Sequence, residues 1–480
     1  MHIHLIGVAG TGMGALAGLL KAAGHRVTGS DTAFYPPMGD ALRAWGVETR
    51  QGFSAQHLSE RPDLVVVGNV CRKDNPEARA AIDGGLRYTS MPGLIEELFV
   101  TERPGFVIAG THGKTTTTAL VAWLLQANGK APGFLVGGIP KNFGESFALG
   151  GAGAPFVVEG DEYDSAFFEK SPKFWRYRPW AAVLTSVEQD HIDIYPTMES
   201  YRDAFRGFVA RIPKDGVLAA FTGDAEVRAL AEDATCRVRT YALSTDAAGP
   251  QAPMWMAAPA TATAGTVPFD LYIGGTSAGR AASPLAGAHN LRNVLGALAI
   301  VTEGAGVELR DALGALAEFQ GVRRRQDLLA VADGVRIYDD FAHHPTAVYE
   351  TLLALRQKHP EGKLIAIFEP RSATASRKLH EAEYPAAFAP ANEAILAPVG
   401  RAEIPEAERL SVTVIGKEIE TRGGVAFTPV GVDAIVDLVA ERASPGDTVV
   451  LMSNGGFGNI YEKLPARLVT RAIQRRNEQR

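Results

Sequence analysis

Residues 110–116, Gly-Thr-His-Gly-Lys-Thr-Thr, constrain the fold of this 480-residue chain more than any other stretch. They follow the apolar run Phe106-Val107-Ile108-Ala109 and lead into Thr117–Leu125, whose apolar residues recur at helical spacing. A buried strand, a tight glycine turn and a helix start together present backbone N–H groups at the positive end of a helix, a cradle that suits phosphate oxygens. Gly110, Thr111, His112, Gly113, Lys114, Thr115 and Thr116 are the candidate cradle. Lys114 can reach the β- and γ-phosphates, and the Thr115 hydroxyl can ligate Mg²⁺. The spacing is short: four residues between the glycines would require Gly at 108, where the chain has Ile108. A glycine-rich turn with an incidental lysine is the competing reading, so a second signal set is needed.

That set lies downstream. Phe156–Asp164 (FVVEGDEYD) is an apolar strand that ends in carboxylates, the placement expected of Mg²⁺ ligands. Glu159 at the strand tip is the best candidate; Asp161, Glu162 and Asp164 read equally well as a solvated acidic loop. A second strand, Val183–Val187, runs into Glu188, Asp190, His191 and Asp193, which makes His191 a candidate for a metal or phosphate role.

The N-terminus carries another glycine cluster. His2–Ile6 reads as a strand, Gly7–Ala15 as a turn into a helix, and Arg26–Asp31 as a strand ending in an acid. Gly10-x-Gly12-x-x-Ala15 satisfies the dinucleotide fingerprint, with Met13 inside it and Asp31 close to where a ribose-binding acid belongs. A diphosphate can approach this backbone; which nucleotide does so stays open.

Strand and helix patterns alternate through three stretches, predicting an α/β protein of three domains. The expected boundaries are 1–101 (Rossmann-like), 102–321 (a P-loop unit with a mixed sheet) and 322–480 (Rossmann-like). Residues 244–267, rich in Ala, Gly, Pro and Thr, read as a loop between short antiparallel strands. A helix should begin near Asn290. The net charge of −6 argues against nucleic-acid or anionic-membrane partners. Two cysteines, Cys71 and Cys236, fit a reducing compartment, and no apolar stretch is long enough for a bilayer span, so a cytoplasmic location is expected.

GTHGKTT, VEGDEYD, EQDHID, GAHNLRN, GVRRRQ and YDDFAHHPT occur in the order found in the Mur ligases, the ATP-dependent amide-forming enzymes of peptidoglycan precursor synthesis, and the chain resembles that family along essentially its whole length. The resemblance implies that Lys114 meets the γ-phosphate, and that Thr115, Glu159 and His191 serve Mg²⁺. It places Asn290, and with it Asn293, near adenine, Arg325 beside Arg324 at the nucleotide, and Asp340 on the ATP ribose. His343 lies in the same loop. A solvated linker is the other reading of Arg323–Arg325. Gly10, Gly12, Met13 and Asp31 would hold a UDP-sugar.

Two positions depart from the family pattern. Phe205 stands where several branches carry a carbamylated lysine, and Ser186 where an asparagine is common. Lacking the lysine likens the chain to the branch that adds the first residue to UDP-N-acetylmuramate, and to its recycling relatives. YPPM (35–38), NFGESFALG (142–150), DEYDSAFFEKSPKFWRYRP (161–179), FEPRS (368–372) and SNGGFGNI (453–460) resemble the recycling branch, which attaches L-Ala-γ-D-Glu-meso-diaminopimelate. The L-alanine-adding branch is the alternative. His343, Arg371 and Asn454 are candidates for holding the peptide, Arg371 because a guanidinium binds a carboxylate bidentately. The implied substrates are UDP-N-acetylmuramate, ATP and a peptide, taken by a monomer or weak homodimer. An NAD-dependent oxidoreductase would explain residues 1–70 but leave Lys114, Glu159 and His191 idle. A nucleotide-binding regulatory module would leave two phosphate loops and a metal-type histidine without purpose.

Overall fold

The computed structural model describes residues 1–478 apart from 36, 37, 193, 248, 250, 262–265, 402 and 403. Pro36 and Pro37 of the YPPM run, Asp193 of EQDHID and part of the Ala/Gly/Pro/Thr stretch lie outside the described residues. Three large sheets follow one another along the chain, each flanked by helices, with a small two-stranded sheet, Asp164–Ala166 and Glu169–Pro172, beside them, giving an α/β protein.

The first sheet has five parallel strands in the spatial order Glu48–Gln51, Arg26–Asp31, His2–Ile6, Leu64–Val67, Tyr88–Ser90. Leu64–Val67 is buried at every position, as an apolar strand covered on both faces must be. The order reverses beside His2–Ile6, so the loop leaving that strand opens at a topological switch point, where doubly wound sheets bind ligands. Gly7 turns the chain there at φ +85°, a conformation that side chains with a Cβ rarely adopt. The helix Thr11–Ala22 then starts from Gly10.

The second sheet is mixed. Gly105–Ala109, the strand before the phosphate loop, lies between Phe156–Gly160 and Pro179–Leu184 and is parallel to both. The three candidate strand ends thus converge at one edge. Val217–Phe221, Arg237–Leu243 and Trp255–Pro259 extend the sheet in parallel, and the hairpin Val267–Ile273/Thr276–Ser283 closes it antiparallel. Trp255–Pro259 falls inside the stretch read from sequence as a loop. Trp255 and Ala257 alternate into the core, and that burial outweighs the weak local signal. The helix Ala288–Ala305 starts two residues before Asn290.

The third sheet runs Asp327–Ala332, Val335–Asp340, Thr448–Met452, Leu364–Phe368, Glu393–Leu396, Ala426–Phe427, parallel except for its first pair.

Specific contacts hold the sheets together. The Phe147 ring packs against Gly18, where any Cβ would collide with it, and edge-on to Trp45 at 5.1 Å. Ser90 donates to Glu169 at 2.7 Å. Between the second and third units, Arg292 bonds Glu350 at 3.1 Å and Thr374 donates to Asp190 at 2.6 Å. No helix among the described residues is long and apolar enough to cross a membrane.

Candidate active site

A cleft of about 890 Å³ runs from Gly12 of the first unit, past the phosphate loop, to His343 of the third. Its floor is the loop itself. Gly110 (φ +133°) and Gly113 (φ +81°) take left-handed conformations, and Gly113 caps the helix Lys114–Ala127. Neighbouring strand ends hold the loop in shape. His112 N–H donates to Ser186 Oγ at 3.1 Å, and Thr111 N–H to the Ser186 carbonyl at 2.9 Å. Thr111 Oγ1 exchanges bonds with the Glu188 backbone at 2.9 Å. Ser186 therefore supports the loop through both its side chain and its backbone.

Lys114 folds over the loop, its Nζ 2.7 Å from the Gly110 carbonyl and 3.0 Å from Glu162 Oε2. Burial alone would lower its pKa, but Glu162 and Asp161 raise it, so the ammonium is retained. Glu162 is fully buried. Burial works against its charge, yet Lys114 and His191 pull its pKa down to about 2. His191 places Nε2 3.1 Å from Glu162 and 3.6 Å from Asp190, and despite burial its pKa is raised by these acids. Tyr201 adds its hydroxyl 3.3 Å from Glu162. Glu162 is thus the hub of the loop's charge balance, a residue that strand-end reasoning did not separate from its acidic neighbours.

Thr115 Oγ1 and Glu159 Oε2 meet at 3.1 Å, and Glu159 Oε1 accepts from Gly137 N–H at 2.5 Å. Burial, then Asp161, push the Glu159 pKa up. A hydroxyl and a carboxylate converging at a phosphate loop are a hard oxygen donor set, and they fit Mg²⁺. A cation there would also relieve the burden on Glu159. His191 hydrogen-bonds neither, being held on Glu162 and Asp190.

Phe205 has no acid to offer. It is fully buried against Tyr201 and Phe174, with ring centroids 5.1 and 5.3 Å away.

Arg325 comes from the joint before the third unit, donates to Thr115 Oγ1 at 3.0 Å and stacks 4.7 Å over Phe341. Asp340 accepts from Gln326 N–H at 2.7 Å and Ala342 N–H at 2.8 Å, so it fixes both the joint and the loop after its strand. Asn290 donates to the Ala286 carbonyl and accepts from Asn293, whose own carbonyl oxygen crowds Gly113. His343 hydrogen-bonds the Phe341 carbonyl through Nδ1 at 3.0 Å; burial lowers its pKa and leaves a neutral imidazole in the cleft.

At the first loop, a Cβ on Gly12 would stand 3.3 Å from Met91, and Gly10 is the helix N-cap. Asp31 accepts from Ala9 N–H and Thr32 N–H, so its carboxylate builds the loop. Met13 is buried in the core, which leaves only its backbone for a ligand. Arg371 and Asn454 follow the ends of Leu364–Phe368 and Thr448–Met452, with the Arg371 side chain packed on Gly455, and both lie outside the residues that line the main cleft. Arg371 is half-exposed and 3.7 Å from Glu369; Asn454 Oδ1 is buried without a partner.

Sequence reading also passed over Glu188. Its Oε2 faces His112 Nε2 at 3.0 Å, Thr346 Oγ1 at 2.8 Å and His344 Nδ1 at 3.6 Å, tying the phosphate loop to the third unit. Burial opposes its charge, but His112 and His344 hold its pKa at about 2. Burial, and then His112 and His380, lower the pKa of His344 to about 3.

Known proteins match the chain along its length. Residues 2–103 match the Mur ligase family catalytic domain, residues 108–301 the Mur ligase middle domain, and residues 324–455 the Mur ligase glutamate ligase domain. The UDP-N-acetylmuramate–L-alanyl-γ-D-glutamyl-meso-2,6-diaminoheptandioate ligase of Escherichia coli (strain K12) is 37% identical over 469 residues, 97% of each chain. The UDP-N-acetylmuramate–L-alanine ligase of Rubrobacter xylanophilus is 34% identical over 98% of this chain and 100% of its own. The crystal structure of a murein peptide ligase from Psychrobacter arcticus superimposes with a TM-score of 0.73 at 33% identity, covering 98% of this chain and 99% of its own. The chain belongs to the Mur ligase family and is an ATP-dependent ligase.

Proposed function

We propose that this ligase joins L-Ala-γ-D-Glu-meso-diaminopimelate to UDP-N-acetylmuramate, converting ATP to ADP and phosphate. The observation that carries the reading is the match, over 97% of both chains, to a relative named for that reaction. Residues 1–101 would take the UDP-sugar, 102–321 the ATP and 322–480 the peptide. Gly10, Gly12 and the helix start would meet the sugar nucleotide's diphosphate, with Asp31 shaping the loop. Lys114 would hold the γ-phosphate, Arg325 would approach it through Thr115, and Asn290 and Asp340 would frame the nucleoside. Thr115 and Glu159 would hold Mg²⁺, with His191, held on Glu162 and Asp190, in the same cleft; the ion would neutralise phosphate charge.

In the proposed chemistry the sugar's lactyl carboxylate oxygen attacks the γ-phosphorus and the bond to the β-phosphate oxygen breaks. ADP leaves, and a mixed acyl phosphate remains. The peptide amine attacks the acyl carbon, the C–O bond to phosphate breaks, and the amine proton is lost as the amide forms. His343, with Nδ1–H committed to the Phe341 carbonyl, has Nε2 free to take that proton. The protein's share is mainly positioning and charge neutralisation between two anions. Arg371 and Asn454 are the side chains we assign to the peptide. The protein would act in the cytoplasm as a monomer or weak homodimer. L-Alanine as acceptor is the second reading, favoured by the match to the Rubrobacter relative.

Positional isotope transfer tests the chemistry. With the lactyl carboxylate labelled with ¹⁸O, one labelled oxygen should leave in the released phosphate. Unlabelled phosphate would rule out the acyl phosphate.

A further inference from the structure

Three side chains beside the phosphate loop take no part in the chemistry above, yet share one focus. His112 comes from the loop, Glu188 from the strand end after Pro179–Leu184, and His344 from the start of the helix Pro345–Lys358 in the third unit. One ligand-type atom from each lies within 4.8 Å of the other two. Glu188 Oε2 is 3.0 Å from His112 Nε2 and 3.6 Å from His344 Nδ1. The two imidazole rings sit 4.8 Å apart, tilted at 46°.

We propose that His112, Glu188 and His344 form a binding site for a borderline-soft divalent cation of the Zn²⁺ type, which clamps the third unit onto the phosphate loop. Two imidazoles and one carboxylate are the donor set that favours zinc over magnesium, which prefers oxygen ligands. Three protein ligands leave a fourth tetrahedral position open to water or a phosphate oxygen. In a tetrahedral zinc site with ligand bonds of about 2.0–2.1 Å, donor atoms stand roughly 3.4 Å apart; the two separations from Glu188 are close to this, and the two histidine nitrogens lie within 4.8 Å of each other. His344 is held in place by burial and by edge-on packing against His380 at 4.5 Å; its Nδ1 also caps the helix by accepting from Thr346 N–H at 3.4 Å, a long bond that the ion would replace. Thr346 Oγ1 donates to the same Glu188 Oε2 at 2.8 Å and orients the carboxylate. The ion would bridge loop, strand end and third unit, and so oppose the opening that exchanges nucleotide.

The test uses the full-length protein, stripped with chelator and held in millimolar Mg²⁺ so that the oxygen-rich Thr115–Glu159 position is occupied. Zn²⁺ affinity is read by competition with a chromophoric chelator, and Co²⁺ is followed by its visible d–d bands. One ion per chain is expected, with nitrogen-ligated, low-coordinate Co²⁺ bands. His344→Gln and Glu188→Gln should each weaken Zn²⁺ by at least about tenfold, while His191→Asn should not. Zinc should raise the melting temperature of the parent more than that of His344→Gln at the same concentration. Should His344→Gln fail to fold, His112→Asn, on the partly exposed loop, carries the same expectation. Undiminished binding in the folded variants, loss of binding only in His191→Asn, or no binding by the parent would overturn the site.

Discussion

Replacing Glu162 by glutamine removes one charge and almost no volume from the point where Lys114 and His191 meet. Glu162 has essentially no exposure, and its partners stand 3.0 and 3.1 Å away. Two routes give the size of the effect. The fall of its pKa from 4.5 to about 2 corresponds, at about 1.36 kcal/mol per pH unit, to about 3 kcal/mol of stability at neutral pH. Truncating one partner of a buried ion pair costs about 3–5 kcal/mol by mutation, because the other charge is stranded. Glu162→Gln should therefore lower the unfolding transition of the central unit by about 6–12 °C at pH 7. The pH dependence is the sharper check. A depressed carboxyl pKa contributes stability above the unfolded value, and that contribution is lost as pH falls through the folded one. The gap between parent and variant should be constant above pH ~5 and about half as large near pH 3. Calorimetry and urea unfolding measure both. Equal stability at pH 7, or a gap that does not change between pH 7 and 3, would refute the hub assignment.

Lys114→Met should cut ADP release about 10²–10³-fold while the fold is retained, measured by coupled ADP assay and circular dichroism. Gly113→Ala places a Cβ on Asn293 at φ +81°, costing about 1–3 kcal/mol and abolishing ATP-analogue binding by calorimetry. Gly129→Ala, at φ +71° with nothing within 4 Å, should incur only backbone strain and keep that binding. Phe205→Lys puts an ammonium among Tyr201 and Phe174, and should destabilise by about 3 kcal/mol or more in denaturant titrations, with no rescue by bicarbonate.

Local chemistry made parts of this molecule legible in its sequence. The strand–turn–helix around residues 110–116 is legible because Gly110 and Gly113 set its backbone locally, over seven consecutive residues. Glu159 reads out because a strand tip fixes where its side chain stands relative to that loop. Glu162 does not: its partner Lys114 is 48 residues away, and within VEGDEYD nothing local distinguishes it from Asp161 or Asp164. Glu188 is hidden for the same reason, since His344 and Thr346 arrive from the third unit. Trp255–Pro259 was hidden by its setting, a run of small residues whose strand character depends on burial against Arg237–Leu243. Asp31 sits where a fingerprint expects a ligand contact, and the structure adds what the fingerprint does not tell: its carboxylate accepts from Ala9 N–H and Thr32 N–H within the protein.

Mass spectrometry of the product, with UDP-N-acetylmuramate, Mg-ATP, and equal concentrations of L-alanine and L-Ala-γ-D-Glu-meso-diaminopimelate competing, tests the proposed reaction most directly. A tripeptide ligase yields predominantly the UDP-N-acetylmuramoyl-tripeptide, with one ADP per amide formed. Predominant UDP-N-acetylmuramoyl-L-alanine, or ADP release without any amide product, would contradict it.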